Sequence, residues 1–243
     1  MNKMVLGNPV PFFIKKCIII NMDINRLKKI RAILFDLDGT LVSDEDIQVE
    51  TMLKTINFFN IDMSIQEFSK RFSGKGLFQI EEDLIREFNL KIKQGDIRRK
   101  RKEIVIELLS KRKTCCTYFA KELVQFLNKR YPLAICSAGE KEEVLLKLKN
   151  NNLLKYFKKI ICAEDVERSK PYPDIYIKGA KELGFIPKEC LAFEDSIMGL
   201  TAAKSAGTVC FVVPDKKAKQ QDFFLADRIL ESLEEAYNIF KNI

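Results

Sequence analysis

The chain has 243 residues, 47% hydrophobic and 31% charged, with a formal net charge of +8 and no histidine. That length suits one large domain or a core with a smaller companion, and the missing histidine excludes histidine-based triads and bases and argues against a zinc site. Seven cysteines, an odd number without any CxxC pair, sit at 17, 115, 116, 136, 162, 190 and 210; four lie in or beside apolar runs, where free cysteine acts as a small hydrophobe, so a reducing, cytoplasmic setting is expected.

Residues 1–30 carry two apolar runs, "PFFI" and "CIII", separated by Lys15 and Lys16. Neither approaches the ~20 residues of a membrane helix, and no long apolar region with a small-residue cleavage site marks a signal peptide. A peripheral amino-terminal extension, with no membrane role, is expected.

The stretch "AILFDLDGTLVSDED" (32–46) runs four apolar residues straight into Asp36 and Asp38, followed by Gly39 and Thr40. Two carboxylates at a strand end can divide the work of phosphoryl transfer. One attacks phosphorus and forms an aspartyl-phosphate; the other protonates the leaving oxygen and later takes a proton from water. Gly39 permits a tight turn, and the Thr40 hydroxyl is expected to hold the loop. Alone, Asp-Gly is equally an ordinary solvated turn.

Residues 44–119 read as helical throughout, from "DIQVETMLKTINFFN" to the basic stretch. An insertion of that size predicts a second, small, all-helical domain, which starts just past the aspartates and can close over them as a lid. Residues 91–113 hold ten Lys/Arg against three Asp/Glu. Such a run reads as a solvated helix face before it reads as a polyanion patch, and no aromatic residue interleaves it for base stacking.

From residue 120 onward, short runs such as "LAICS" (133–137), "KIICAED" (159–165), "CLAFEDS" (190–196) and "TVCFVV" (208–213) alternate with helical stretches. Continuous apolar runs fit strands buried on both faces, and the alternation predicts a doubly wound parallel α/β sheet. In that arrangement ligands gather beyond the carboxyl ends of the strands, where Asp36 and Asp38, Ser137, Glu164 with Asp165, and Glu194 with Asp195 would converge.

Carboxylates crowded there repel unless a cation joins them, and an oxygen-only donor set suits Mg²⁺. Asp195, with Glu194 beside it, is the natural distal ligand. Lys170, held extended by Pro171, offers a point charge for phosphate oxygens, and Ser137 offers a hydroxyl with backbone N–H groups near a helix start. Each has a plain alternative: a surface lysine, an N-cap serine, an acidic loop. Their joint occurrence at successive strand ends carries the argument.

Those residues resemble the motifs of the haloacid dehalogenase superfamily: "FDLDGTL" (35–41), "ICSAG" (135–139), "SKPYPD" (169–174) and "FEDSIMGLTAAKSAG" (193–207). The resemblance spans roughly residues 31–235, and the helical insertion resembles the cap of the β-phosphoglucomutase-like phosphatase branch. It implies a core of residues 31–43 and 120–243 with a cap of residues 44–119. It also implies an Mg²⁺-dependent phosphohydrolase with Asp36 as nucleophile and Asp38 as general acid/base. Mg²⁺ would be held by Asp36, the main-chain carbonyl of Asp38 and Asp195, with Glu194 supporting, and Ser137 and Lys170 would bind the phosphoryl group. In the cap, "FSGKG" (72–76) resembles the substrate-specificity loop, so Gly74 and Lys75 are expected near substrate. Alanine at 138, where relatives often carry a polar residue, shifts phosphate contacts toward the backbone.

The expected substrate is a small phosphorylated metabolite such as a sugar phosphate, rather than nucleic acid, and a monomer is consistent with that. Two other readings stay open on the sequence alone. One is a phosphomutase, although the cap histidine of such mutases is missing; the other is a protein on this fold that binds nucleic acid or an acidic partner through the basic stretch.

Overall fold

A computed structural model describes residues 24–72, 75–214 and 223–243. After a one-turn helix α1 (Ile24–Leu27), strand β1 (Ala32–Phe35) is followed by β2 (Val42–Ser43), helices α2 (Glu45–Phe58), α3 (Ile65–Phe72), α4 (Leu77–Glu87) and α5 (Asp96–Lys111), and β3 (Cys115–Cys116). The chain then alternates through α6 (Ala120–Leu127), β4 (Leu133–Cys136), α7 (Lys141–Asn150), β5 (Lys159–Ile161), α8 (Asp174–Glu182), β6 (Cys190–Glu194), α9 (Ile197–Ala206), β7 (Val209–Val212), β8 (Arg228–Ile229) and α10 (Leu233–Lys241). Most of residues 1–30, and Gly74, lie outside the described residues.

Six strands form one sheet in the order β5-β4-β1-β6-β7-β8, every neighbouring pair parallel. The fold is the doubly wound α/β architecture expected. Its two faces differ in side-chain size. Ile33, Phe35, Leu133, Ile135, Phe193 and Phe211 point to the layer that includes residues of α6, α7 and α10; full burial of such a side chain contributes about 1.5–3 kcal/mol. Ala32, Ala134, Cys136, Cys190, Ala192 and Cys210 point the other way, onto α8 and α9.

Small residues on that second face let the helices come close. Gly179 of α8 lies so near β4 that a β-carbon there would stand 2.5 Å from Cys136 Sγ. Three of the cysteines are thus spacers in a tight layer, and all six cysteines among the described residues are free.

The helices between β1 and β4 bury their own apolar cluster around Met52, Ile56, Phe72, Ile80, Leu84 and Ile97. A smaller cluster, Ile47, Val105, Leu108 and Leu109, packs against Leu146 of α7. The segment is not helical throughout: β3 pairs antiparallel with β2, Val42 opposite Cys116, so the two chain crossings form one short ribbon. Two-residue strands show no periodicity, and β8 escaped the sequence pattern for the same reason.

The basic stretch is largely paired within the chain. Arg98 meets Glu81, Arg101 meets Glu143, Lys102 meets Glu140, and Arg112 meets Asp46 and Glu50. Among the described residues no helix is long and apolar enough to cross a membrane.

Candidate functional site

Parallel strands deliver their carboxyl ends to one edge, and the three central ones carry the polar residues singled out in the sequence. Asp36 follows β1, Ser137 follows β4, and Glu194 ends β6. The register is tight: the Asp36 N–H donates to the Phe193 carbonyl at 3.0 Å and the Ser137 N–H to the Ile161 carbonyl at 3.0 Å.

Lys170 reaches this edge from the loop before α8, where its peptide bond to Pro171 is cis. Its Nζ lies 2.5 Å from Asp36 Oδ1 and 2.6 Å from Glu194 Oε1, with 3% of the side chain exposed. Glu194 is used on both oxygens: Oε1 also accepts from the Tyr176 hydroxyl, and Oε2 accepts from the Asp195 N–H and the Ser196 hydroxyl.

Two glycines make room for the acids. A β-carbon at Gly199 would overlap the Glu194 carboxylate, and one at Gly39 would overlap Asp195 Oδ2. Gly39 also has φ +85°, in the left-handed region that side chains disfavour. Ser196 caps α9 by accepting from the Gly199 N–H at 3.1 Å, fixing the helix start beside Asp195.

Asp36, Glu194 and Asp195 each offer an oxygen within 4.8 Å of the others. Asp36 Oδ2 is buried and has no hydrogen-bond partner among the described residues. Burial pushes Asp36 up to about 7, against the pull of Lys170 and with help from Glu194 and Asp38. Asp195 is raised by burial, then by Asp36 and Glu194. Lys170 is held above the usual lysine range: burial works against its charge, but Asp36 and Glu194 outweigh it. An unpartnered buried oxygen in a crowd of hard oxygen donors fits a magnesium ion.

Asp38 faces elsewhere. Its Oδ1 takes a 2.5 Å hydrogen bond from Lys147 Nζ, and its Oδ2 lies 3.4 Å from Ser137 Oγ. The Ser137 hydroxyl also accepts from the Gly139 N–H at 3.0 Å. Two aspartates two residues apart are therefore separated, one among carboxylates and one beside a serine and a lysine.

Lys147 is the residue that sequence reading missed. It is fully buried on α7, and its Nζ also meets Asp44 and Glu143, each at 2.7 Å. Glu143 in turn accepts from Gln48 and Arg101. A signal existed: Lys147 falls on the same helix face as buried Val144 and Leu148, where a lone lysine must have a charged partner.

Other expectations meet a different geometry. The Thr40 hydroxyl is buried without a partner; the loop is held instead by the Thr40 carbonyl, which accepts from the Thr117 hydroxyl at 2.6 Å, and by the Gly39 N–H on the Val42 carbonyl at 2.8 Å. Glu164 and Asp165 bind the backbone N–H and the amine of Lys141 at the start of α7, not the carboxylate group. Lys75 closes on Asp83 at 2.6 Å, in a hollow lined by residues of α3 and α4 and the turn between them.

A cavity of about 470 Å³ opens onto Asp38, Gly39 and Thr40, walled by Asp44, Gln48, Tyr118, Pro214 and Ser232. Its size is in the range of small-molecule sites, and its walls carry hydroxyl, amide and carboxylate groups.

Residues 33–213 match the haloacid dehalogenase-like hydrolase family. The Bacillus subtilis protein YhcW is 31% identical over 211 residues, covering 85% of this chain and 93% of that protein. The phosphorylated carbohydrates phosphatase of Thermotoga maritima is 28% identical over 72% of this chain and 81% of its own. The crystal structure of CbbY from Rhodobacter sphaeroides in complex with phosphate superimposes with a TM-score of 0.76 at 27% identity, covering 84% of this chain and 94% of that one.

Proposed function

This chain belongs to the haloacid dehalogenase-like hydrolases, and we propose that within them it is a cytoplasmic, magnesium-dependent phosphatase of a small phosphorylated metabolite. A sugar phosphate suits it best. The observation that carries this reading is the gathering of buried Asp36 and Glu194 and half-buried Asp195 at the edge that Lys170 reaches, with Asp38 turned separately toward Ser137.

Asp36 attacks phosphorus while the bond to the leaving oxygen breaks, and Asp38 gives that oxygen a proton, releasing the alcohol. Water then attacks the same phosphorus and Asp38 takes its proton. The bond between Asp36 and phosphorus breaks, freeing inorganic phosphate and the carboxylate. Lys170 orients Asp36 and neutralises charge beside it, and Ser137 with the neighbouring N–H groups receives phosphoryl oxygens.

Asp36, Asp195 and the carbonyl of Asp38 would hold Mg²⁺, with Glu194 supporting; when bound, the ion screens repulsion between an anionic nucleophile and an anionic ester. The helices from 44 to 119 act as a cap that closes over substrate and excludes bulk water. The polar walls of the cavity suit a hydroxylated leaving group, in keeping with the carbohydrate phosphatase among the relatives.

The test is phosphate release from a panel of sugar phosphates, nucleotides and an aryl phosphate, with Mg²⁺ or with chelator. Release that needs Mg²⁺ and vanishes in Asp36→Asn is expected. Undiminished release by that variant would overturn the mechanism.

A further inference from the structure

The proposal below rests on Asp38 as the proton donor of that reaction. We propose that Lys147 is a positioning residue for it: the lysine fixes one oxygen of Asp38 so that the other faces the phosphoryl group and the leaving oxygen.

The placement follows from two bonds. Asp38 is three residues past the end of β1, on a loop held by the Thr40 carbonyl and the Gly39 N–H, and its side chain is bonded by Lys147 and Ser137. Lys147 holds Oδ1 at 2.5 Å, and this turns Oδ2 toward Ser137 Oγ at 3.4 Å and toward Gly139. Proton transfer requires the carboxyl to lie within hydrogen-bond reach of the reacting oxygen. Oδ2 is the oxygen left for that task.

The lysine is itself immobilised. It has 0% exposure, and Asp44 from the start of α2 and Glu143 from its own helix grip it at 2.7 Å each. Arg101 of α5 and Gln48 of α2 hold Glu143 from the cap side. Asp44 and Glu143 balance the charge of the ammonium and take two of its three N–H groups, and Asp38, on the reacting loop, takes the remaining one. The third bond therefore points to use of the lysine by the site.

A merely structural lysine and a positioning one differ in how the leaving group matters. An ester with a poor leaving group, such as a sugar phosphate, needs the proton from Asp38; 4-nitrophenyl phosphate leaves well without it. The two esters differ only in the first step, since the hydrolysis in which Asp38 takes a proton from water is common to both, so the comparison is made on kcat/KM, which reports the steps up to release of the alcohol. Lys147→Met should lower kcat/KM on the sugar phosphate about 100-fold, within the ~10²–10⁴ a general acid supplies, and kcat/KM on 4-nitrophenyl phosphate by less than about 5-fold. Lys147→Arg, which keeps the cation, should recover part of the loss.

Equal losses on both esters, or none, would overturn the proposal while leaving the phosphatase reading intact. If the wild-type chain released no phosphate, or Asp36→Asn kept its activity, that reading itself would fail and Lys147 would lose its assigned role with it. Because removal of the lysine leaves Asp38, Asp44 and Glu143 facing one another, Lys147→Met/Asp44→Asn is measured alongside. Should that double variant also fail to fold, Lys147 serves stability alone and the proposal is wrong.

Discussion

Two groups of buried and half-buried acids meet at the loop of residues 36–40, and they are neutralised to different degrees. Among the described residues Asp36 and Glu194 pair with one cation, Lys170, and Asp195 lies beside them. Asp38, Asp44 and Glu143 share Lys147, with Arg101 and Gln48 also on Glu143. Asp36 and Glu143 respond in opposite directions, whereas Asp38, beside Glu143, is raised by burial against the pull of Lys147. Burial drives Asp36 up to about 7 despite Lys170. Burial would raise Glu143 as well, but Lys147 and Arg101 overcome it and hold the carboxyl down at about 2. Among the described residues the first group has one lysine for three acids, the condition under which a divalent cation binds; in the second, Lys147 and Arg101 satisfy Glu143 and tie the inserted helices to the core.

Removing charge from each side breaks that contrast most directly. Asp36→Asn should cut turnover by at least ~10³-fold, since a nucleophile has no substitute, while its thermal midpoint stays level or rises because one repelling carboxylate is gone. A clear drop in midpoint would mean the acids of that edge are already balanced. Arg101→Met should do the reverse on the other side, destabilising the protein by about 3 kcal/mol in urea unfolding, near the low end for breaking a buried pair. An unchanged midpoint there would show that Lys147 and Gln48 suffice for Glu143.

Metal addition sharpens the comparison. At a concentration of about 100 times its Kd, Mg²⁺ should stabilise the wild-type chain by about 2.7 kcal/mol, and Asp195→Asn should abolish most of that gain. Stabilisation retained in Asp195→Asn would place the ion elsewhere.

The smallest effect is that of pH on the metal-free protein. Asp36 holds its proton more tightly folded than unfolded, so stability falls as pH rises from its ordinary 3.8 through about 7. Glu143 has the opposite sign: its contribution is complete above its ordinary 4.5 and is lost as pH falls toward about 2. The midpoint should therefore drop by a few degrees, about 2–4 °C per kcal/mol for a chain of this size, between pH 5 and pH 8. Excess Mg²⁺ should flatten that slope.

What could be read without coordinates was local. The strands announced themselves as continuous apolar runs, and Asp36, Ser137 and Glu194 could be located because each ends or follows such a run. The structure gathers them, and brings Lys170 to the same edge, through parallel pairing of β1 with both β4 and β6. Lys147 was harder to find, because its bond to Asp38 joins residues 109 apart, and that between Arg101 and Glu143 joins residues 42 apart. No short motif marks either. The Thr40 hydroxyl shows the converse: a residue type suited to holding a loop, placed where the neighbouring carbonyl does so instead.

The central position of β1 also bears on how the molecule is made. Phe35 precedes Leu133, at the start of its first partner strand, by 98 residues, and its other partner begins still later, at Cys190. At a synthesis rate of about 5–20 residues per second, β1 spends roughly 5–20 s outside the ribosome with two open apolar edges. The inserted helices, which bury a cluster drawn from residues 52–97, can condense during that wait. They have a local nucleus, whereas the sheet that carries the catalytic edge must close last, through contacts of long sequence separation.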